Sequence, residues 1–420
     1  MKVLVVGGGG REHAICQKLS ESKKLTKLYC APGNAGISEI AEIVPIGATD
    51  IEGIVNFSKE NKIDLVVVSP DDPLVMGMVD ALNKEGIRAF GPDKNAAIIE
   101  GSKVFSKELM KKYNIPTAKY EVFDNPQNAL EYLKGAPYPA VIKAEGLALG
   151  KGVIIAKDYN EAQGAIKSIM VDKVFGASGN RVVIEEFLEG TEISVLAFTD
   201  GKTIIPMKSA QDHKRALDND EGLNTGGMGA FSPSPIYTKE MEKECMEKIF
   251  IPTMEAMNKE NRTFRGVLYF GLISTKDGVK VIEYNCRFGD PETQAVLPLF
   301  SGDLLEVFEA IIDGRLSEVK FSFKDEKSVC IVMASGGYPQ KYETGYEIFG
   351  MDEAKSLGVS IYHAGTKHKD GKIVTSGGRV LGVCAQDKDF KRAIEKAYEG
   401  VKKISFTNCH FRTDIGKKYI

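Results

Sequence analysis

Short apolar segments alternate with helical patterns over residues 1 to about 120, and this alternation constrains the fold more than any other feature of the chain. The predicted strands are residues 2–6, 27–31, 43–46, 65–69 and 87–90. The predicted helices are residues 11–20, 51–61 and 74–85, with Asp50 as the cap of the second. Alternating strands and helices predict a parallel sheet that is covered on both faces and binds ligands at the carboxyl ends of its strands.

The rest of the chain divides into three further predicted units. Residues 121–191 form a smaller α/β lobe, in which two paired strands flank a glycine-rich connection. Residues 192–326 form a larger lobe with a mixed sheet and a long helix over about 238–258, and residues 327–420 form a β-rich domain with a late helix. A chain of 420 residues exceeds what one hydrophobic core organises, which agrees with several domains.

Composition excludes several classes of function. The chain is 43% hydrophobic and 27% charged with a net charge of -3, so it offers no basic field for nucleic acid or for a membrane surface. No apolar run approaches the roughly 20 residues that cross a bilayer. The 7 cysteines are scattered without Cys-x-x-Cys spacing, which is typical of reduced thiols in a cytoplasmic protein.

The first glycine cluster, Gly7 to Gly10, follows the first predicted strand. Glycines there allow close approach of a phosphate or ribose to the backbone. A dinucleotide-binding motif would require glycine where Glu12 stands, so a nicotinamide or flavin site is disfavoured. The second and fourth strands end in loops that carry Asn34 and Asp71, and three polar loops at one sheet edge predict a pocket.

The second glycine cluster spans residues 146–152 and lies between two predicted antiparallel strands. It is not followed by a helix, and Gly152 stands where a P-loop would need Ser or Thr. A hairpin loop of this kind can fold over nucleotide phosphates, with Lys143 and Lys151 supplying positive charge.

Residues 281–292 carry the strongest chemical signal. Glu283 and Asn285 alternate on a predicted strand, so their oxygens point to one side. A carboxylate and an amide oxygen suit Mg²⁺ that is shared with nucleotide phosphates. The guanidinium of Arg287 and the carboxylate of Asp290 follow, and these groups can hold a small carboxylic acid.

Together these segments resemble the ATP-grasp ligases and, among them, the glycinamide ribonucleotide synthetases. The resemblance covers nearly the whole chain, from residues 7–14 and 31–36 through 211–215, 224–229 and 285–294 to 412–416. It implies an α/β protein with an N-terminal parallel (pre-ATP-grasp) domain, a two-lobed ATP-grasp core and a β-rich C-terminal domain. It also implies an ATP-dependent ligation of glycine to 5-phosphoribosylamine through glycyl phosphate, in a monomer that uses Mg²⁺ or Mn²⁺.

The resemblance assigns roles to residues in four groups. The implied metal ligands are Glu283 and Asn285. The implied ATP contacts are Lys103, Lys143, Gly150, Lys151, Gly152, Glu185, Glu186, Leu188 and Glu192. The implied phosphoribosylamine contacts are Gly9, Gly10, Arg11, Glu12, Asn34, Asp71, Lys214 and Arg215. The implied catalytic residues are Arg287, Asp290, Asp212 and Lys151, with Arg287 and Asp290 orienting glycine and its acyl phosphate.

The chain also departs from the family pattern, and alternatives stay open. Asp71 stands where the family usually has glutamate, Met76 where lysine is common, and Leu149 where alanine is usual. A ligase with another acceptor, a nucleotide-dependent oxidoreductase and a nucleotide-sensing module without turnover are the competing hypotheses. A structural alternative for Arg287 is that it only pairs with Asp290 and braces the turn.

Overall fold

The computed structural model describes residues 1–148 and 152–420, and its first unit is a five-stranded parallel sheet. The strands are β1 (Lys2–Gly7), β2 (Lys27–Pro32), β3 (Glu42–Ile43), β4 (Leu65–Val68) and β5 (Ala89–Phe90). Their spatial order is β3-β2-β1-β4-β5. The helices are α1 (Gly10–Ser20), α2 (Ile51–Glu60), α3 (Asp71–Met76), α4 (Met78–Lys84), α5 (Lys94–Gly101) and α6 (Lys103–Lys112).

Both faces of this sheet are buried, as predicted. Leu4 and Val6 pack in one hydrophobic core, whereas Val3 and Val5 pack in another on the opposite face. Alternate side chains of a strand point to opposite faces, so a parallel strand covered on both sides reads as a continuous apolar run.

Two predicted elements of this unit differ from the structure. The predicted helix over 74–85 is two helices, because Gly77 adopts φ 97° between them in the left-handed region. The predicted third strand over 43–46 is only two residues long. The predicted cap of α2 is confirmed, since the Asp50 carboxylate accepts a hydrogen bond from Gly53 N at 2.9 Å.

The small lobe has its own sheet and core. Its elements are β6 (Tyr120–Phe123), α7 (Pro126–Leu133), β7 (Ala140–Ala144), β8 (Val153–Ala156), α8 (Tyr159–Ile166) and β9 (Val182–Glu186). The order in the sheet is β6-β9-β7-β8, and β7 pairs antiparallel with β8 as predicted. Leu149, Gly150 and Lys151 lie outside the described residues, so the predicted roles of Gly150 and Lys151 stay predictions.

The larger lobe is built on an antiparallel sheet of four strands, residues 191–199, 204–206, 266–275 and 278–285, labelled β10, β11, β16 and β17. Their spatial order is β11-β10-β16-β17. The predicted helix over 238–258 is helical, but a π-helical turn at Met246–Phe250 separates its two α-helical parts. The elements are β10 (Thr191–Thr199), β11 (Ile204–Pro206), β12 (Gln211–Asp212), β13 (Arg215–Leu217), β14 (Glu221–Asn224), β15 (Gly229–Ser232), α9 (Lys239–Cys245), α10 (Ile251–Lys259), β16 (Gly266–Thr275), β17 (Gly278–Asn285), α11 (Glu292–Val296), β18 (Phe300–Ser301) and α12 (Leu304–Asp313).

The C-terminal region is β-rich and carries a late helix, as predicted. Its elements are β19 (Ser322–Phe323), β20 (Lys327–Ser335), α13 (Met351–Ser356), β21 (Ser360–His363), β22 (Thr366–Lys369), β23 (Lys372–Thr375), β24 (Arg379–Asp387), α14 (Phe390–Val401) and β25 (Cys409–His410). The main sheet has the order β12-β15-β20-β24-β21, so the loop around Asp212 is fastened to this region. The division into the four units given above remains a proposal.

Within the described ranges, no helix combines the length and the apolar character needed to cross a membrane.

Candidate active site

Glu283 and Asn285 lie at the end of β17, on the same face of the strand. The pairing of β16 with β17 shifts by one residue between Gly271 and Leu272, and from there Glu283 lies opposite Gly271 and Asn285 opposite Tyr269. The Glu283 side chain is 33% exposed. The strand therefore presents a carboxylate and an amide oxygen together to a cleft, as the sequence predicted.

Four cationic side chains act on the Glu283 carboxylate: Lys214, Lys143, Lys103 and Arg287. Burial raises the pKa of Glu283, but these four charges outweigh it and lower the pKa below its ordinary value. The closest measured pair joins Lys214 Nζ to Glu283 Oε1 at 3.9 Å. This cleft therefore holds an ionised carboxylate in a strongly cationic setting, which suits a metal with polyphosphate.

The donor set fits a magnesium ion that is completed by phosphate oxygens. Glu283 and Asn285 supply hard oxygens, although Asn285 Oδ1 also accepts a hydrogen bond from Arg287 Nη2 at 3.1 Å. In the part of the chain that the structure describes, no group of three His, Cys, Asp or Glu side chains could hold a metal by itself. Mg²⁺ commonly binds through one or two protein oxygens plus substrate phosphates, which matches this arrangement.

Two of the lysines predicted to meet phosphates, Lys143 and Lys103, lie at the same cleft. Lys143 Nζ donates to the carbonyl of Ile282 at 3.1 Å, directly before Glu283. Lys103 Nζ donates to the carbonyl of Gly146 at 3.0 Å, at the base of the glycine-rich loop. Gly152 closes that hairpin, because its carbonyl accepts from Ala144 N at 2.8 Å.

Glu185, which is predicted to contact adenosine, is buried between two lysines. Its side chain is 4% exposed, and its carboxylate lies between Lys143 and Lys107 at 2.9 and 2.8 Å. A carboxylate shared by two buried lysines holds those lysines, and little of it is available to a nucleoside. Glu186, Leu188 and Glu192 are more exposed along the strand end and the following turn.

Arg287 is braced, but by a different partner than the sequence suggested. Its Nη2 lies 3.1 Å from Oε1 of Glu100, and the other oxygen of Glu100 accepts from Cys286 N at 2.7 Å. Burial would lower the pKa of Arg287, but the charges of Glu100 and Asp71 raise it above its ordinary value. Arg287 Nε is buried and has no hydrogen-bond partner among the described residues.

Asp290 contacts groups from separate parts of the chain. It lies 3.4 Å from Arg11 N, accepts from Gln294 Nε2 at 2.7 Å and faces Arg379 Nη1 at 3.5 Å. Burial would raise the pKa of Asp290, but Arg379 and Arg11 lower it. The proposed Arg287–Asp290 brace is wrong, because Asp290 pairs with these other groups.

Close contacts within the protein surround the first glycine cluster. A Cβ on Gly8 would lie 2.5 Å from the carbonyl oxygen of Gly33, and a Cβ on Gly10 would lie 2.5 Å from Gln294 Nε2. Glu12 is 2% exposed and accepts from Gly9 N at 2.7 Å and from Arg11 Nε at 2.5 Å. Glu12 therefore fixes the loop through these contacts, and its predicted contact with phosphoribosylamine stays a prediction.

Asn34 also holds this loop and has no free hydrogen-bonding group. Its amide donates to the carbonyls of Gly8 and His363 at 3.0 and 2.7 Å. Its oxygen accepts from Gly36 N and Ile37 N at 3.0 and 2.9 Å. An amide has two donor hydrogens and two lone pairs, so direct contact with a substrate would break one of these bonds.

Lys214 and Arg215, which are predicted to contact phosphoribosylamine, make their observed contacts with other protein groups. Lys214 Nζ lies 3.1 Å from Glu192 as well as near Glu283, so it belongs to the cationic cleft. Arg215 donates to the carbonyl of Gly222 at 2.7 Å within the β13–β14 hairpin.

Asp212 packs against Gly227. Burial is the larger cause that raises the pKa of Asp212 well above its ordinary value, and the negative charge of Glu292 adds to it.

Three residues that contact the predicted site residues were not singled out from the sequence: Glu100, Lys107 and Arg379. Lys107 follows Lys103 by four residues, so helical spacing places both on one face of α6 and could have revealed it. Arg379 is the first residue of β24, and its Nη1 donates to the carbonyls of Gly226 at 2.5 Å and Asp290 at 2.7 Å. No local signal marks Glu100, because its partners follow it by about 190 residues.

Comparison with family models matches three consecutive parts of the chain. Residues 1–100 match the phosphoribosylglycinamide synthetase N domain, residues 101–293 match its ATP-grasp (A) domain, and residues 328–418 match its C domain.

Individual relatives agree with these matches. A phosphoribosylamine–glycine ligase from Caldanaerobacter subterraneus subsp. tengcongensis is 51% identical over 419 residues, covering 100% of both chains. The crystal structure of phosphoribosylamine–glycine ligase from Thermotoga maritima matches with a TM-score of 0.86 at 32% identity and covers 99% of this chain and 100% of that one.

A more distant structure shares the fold. The biotin carboxylase domain of 2-oxoglutarate carboxylase from Hydrogenobacter thermophilus, solved with MgADP and bicarbonate, matches with a TM-score of 0.73 at 15% identity and covers 98% of this chain and 91% of that one.

Proposed function

Because this chain belongs to the phosphoribosylglycinamide synthetase family, it is an ATP-dependent ligase that joins glycine to phosphoribosylamine in purine biosynthesis, and we propose that the cleft around Glu283 is where it does so. The observation that carries this proposal is the ionised Glu283 carboxylate beside Asn285 and among four cations. ATP and Mg²⁺ are the kind of cofactor that an ATP-grasp fold uses. We extend the metal assignment to Mn²⁺, because it accepts the same oxygen donors.

The nucleotide side of the site is assigned as follows. Glu283 and Asn285 would hold the metal, which would neutralise phosphate charge when bound. Lys103, Lys143 and Lys214 neutralise further charge, and Glu185 fixes Lys143. We assign the adenosine contacts to Glu186, Leu188 and Glu192, and the roles of Gly150, Lys151 and Gly152 toward the phosphates remain those that the resemblance implies.

The glycine side is assigned to Arg287, Asp212 and Asp290. Arg287 holds the glycine carboxylate through a forked hydrogen bond, and an aspartate receives the ammonium group. A carboxylate oxygen attacks the γ-phosphorus, ADP leaves and glycyl phosphate forms. The phosphoribosylamine nitrogen then attacks the acyl carbon, loses a proton, and inorganic phosphate leaves. Positioning and charge neutralisation supply most of the rate.

The acceptor is assigned to the edge of the N-terminal sheet. Gly9, Gly10, Arg11 and Asp71 are its proposed contacts, while Glu12 and Asn34 keep that loop in shape. We further propose that the protein is cytoplasmic and that it is a monomer. Size-exclusion chromatography with light scattering would test the monomeric state.

The test of the function is ADP release measured with ATP, glycine and freshly made phosphoribosylamine, omitting each in turn. We expect release that requires all three. Full release with another amine in place of phosphoribosylamine would favour a ligase with a different acceptor. Nucleotide binding without any release would favour a sensing module.

A further inference from the structure

Lys107 is a buried lysine for which the assigned reaction provides no direct role. It lies on α6, one turn after Lys103, and its side chain is 2% exposed. Its Nζ lies 2.8 Å from Oε2 of Glu185 and donates to Thr117 Oγ1 at 2.8 Å. Burial lowers its pKa to about 8, although the charge of Glu185 opposes that shift.

The carboxylate of Glu185 is shared between two lysines. Its Oε1 lies 2.9 Å from Lys143 Nζ, so the three side chains carry one excess positive charge if all are ionised. The Glu185 and Lys143 side chains are each 4% exposed. Burying an ion pair already costs desolvation, and a second buried lysine on the same carboxylate increases that cost. One lysine would suffice to neutralise Glu185, so the second has another purpose.

The network reaches the strand that carries the metal ligands. Thr117 Oγ1 donates to the carbonyl of Val281 at 2.7 Å, and Lys143 Nζ donates to the carbonyl of Ile282 at 3.1 Å. These are the two residues directly before Glu283. Lys107 therefore links α6, the small-lobe strands and β17, the three elements that supply Lys103, Lys143 and Glu283.

We propose that Lys107 is a positioning residue for the nucleotide: it holds Glu185 and thereby fixes Lys143 beside β17, without touching the nucleotide itself. The inference rests on the proposed nucleotide site. Without Lys107, the Glu185 carboxylate is free to rotate toward Lys143 and pair with it alone. Lys143 then loses the fixed geometry in which it meets a phosphate. Glycine and phosphoribosylamine are bound by other residues and are unaffected.

The test compares Lys107→Met with Lys111→Met, an exposed lysine on the same helix. Methionine keeps the length of the side chain and removes its charge. For Lys107→Met we expect the KM for ATP to rise about tenfold or more, the cost of losing one charge-assisted contact. The KM values for glycine and phosphoribosylamine should stay close to wild type, and Lys111→Met should behave as wild type throughout.

Two further variants keep the test decisive if Lys107→Met does not fold. Lys107→Arg retains the charge and should retain most of the ATP affinity. Thr117→Val leaves Lys107 charged but removes the hydrogen bond to the carbonyl of Val281. We expect it to raise the KM for ATP, but by less than Lys107→Met does. If Lys107→Met cannot be measured, the expected increase for Thr117→Val is less than tenfold.

An unchanged KM for ATP in Lys107→Met or Thr117→Val would overturn the inference, as would equal increases for all three substrates together with a lower Tm. The proposed function fails separately, namely if the wild-type enzyme shows no glycine-dependent ADP release.

Discussion

Arg287 and Glu100 form a buried ion pair, with Arg287 Nη2 3.1 Å from Glu100 Oε1. Glu100 also accepts from Cys286 N, so it fixes both the backbone and the side chain at the end of β17. This leaves Arg287 in one orientation in the cleft, with 19% of its side chain exposed. A preoriented guanidinium pays little entropy when it binds a carboxylate.

The first prediction concerns this pair. Arg287→Lys keeps the charge but loses the forked geometry, so the KM for glycine should rise strongly while the KM for ATP stays nearly constant. Glu100→Gln should give the same pattern more weakly, because Arg287 stays present but is less well held. Steady-state kinetics and a melting curve measure both. If Arg287 served only as a brace, the Tm would fall and all three KM values would rise alike.

The second prediction concerns the metal ligands. Glu283→Gln removes a charge with little change of shape, and Asn285→Ala removes an oxygen donor. Each should lower kcat by at least ~10²-fold, which is about 2.7 kcal/mol of transition-state stabilisation. Asp277→Asn, at the exposed turn of the same hairpin, is the matched control and should leave kcat unchanged. Near-normal turnover of Glu283→Gln would refute the metal assignment.

The third prediction concerns the first glycine cluster. Gly8→Ala places a Cβ 2.5 Å from the carbonyl oxygen of Gly33, which the backbone must move to accommodate. We expect a loss of about 1–3 kcal/mol in the free energy of unfolding, as for an overpacked site, and a higher KM for phosphoribosylamine. Gly164→Ala in α8 is the control, since its Cβ would meet no atom within 4 Å. It should stabilise the protein by about 0.5–1 kcal/mol through helix propensity. Denaturant titration of wild type and both variants measures the free energies of unfolding. Equal free energies of unfolding for Gly8→Ala and wild type would contradict the prediction.

The fourth prediction concerns stability in acid. His13 Nδ1 accepts from His363 N at 2.8 Å, between α1 and β21. Burial, helped by nearby positive charge, lowers the pKa of His13 to about 3 and that of His363 to about 4. The unfolded chain binds protons at these sites below about pH 6.5, whereas the folded chain does not, so stability falls as the pH drops from 6.5 toward 4.

Each of these histidines contributes a slope of up to about 1.4 kcal/mol per pH unit. His13→Gln keeps a hydrogen-bond acceptor, and its unfolding free energy should depend less steeply on pH between 6.5 and 4. His368→Gln changes an exposed imidazole and serves as the control. Parallel pH curves for wild type and His13→Gln would show that His13 titrates equally in both states.

Local signals in the sequence predicted the features that depend on neighbouring residues. Asp50 caps α2, since its carboxylate accepts from Gly53 N at 2.9 Å, and the alternation at Glu283 and Asn285 places both on one face of β17. The break of the helix at Gly77 was missed, because a glycine inside a helical pattern also fits a continuous helix.

Features that depend on distant pairing could not be read from the sequence. The family resemblance assigned Glu12 and Asn34 to the acceptor, and only the structure shows that their polar groups are hydrogen-bonded within the protein. Arg379 is the first residue of β24, in the same sheet as β15 and β12, and its Nη1 lies 3.5 Å from Asp290 Oδ1. Which strands pair across hundreds of residues is a property of the whole fold.

The central claim is that the nucleotide and its metal bind at the cationic cleft around Glu283. The most direct measurement is a crystal structure of the wild-type protein with Mg²⁺ and a non-hydrolysable ATP analogue. We predict the metal on Glu283 and Asn285, with the β- and γ-phosphates beside Lys103 and Lys143. A nucleotide seated instead on the Gly7 to Gly10 loop, with Glu283 free of metal, would contradict the account.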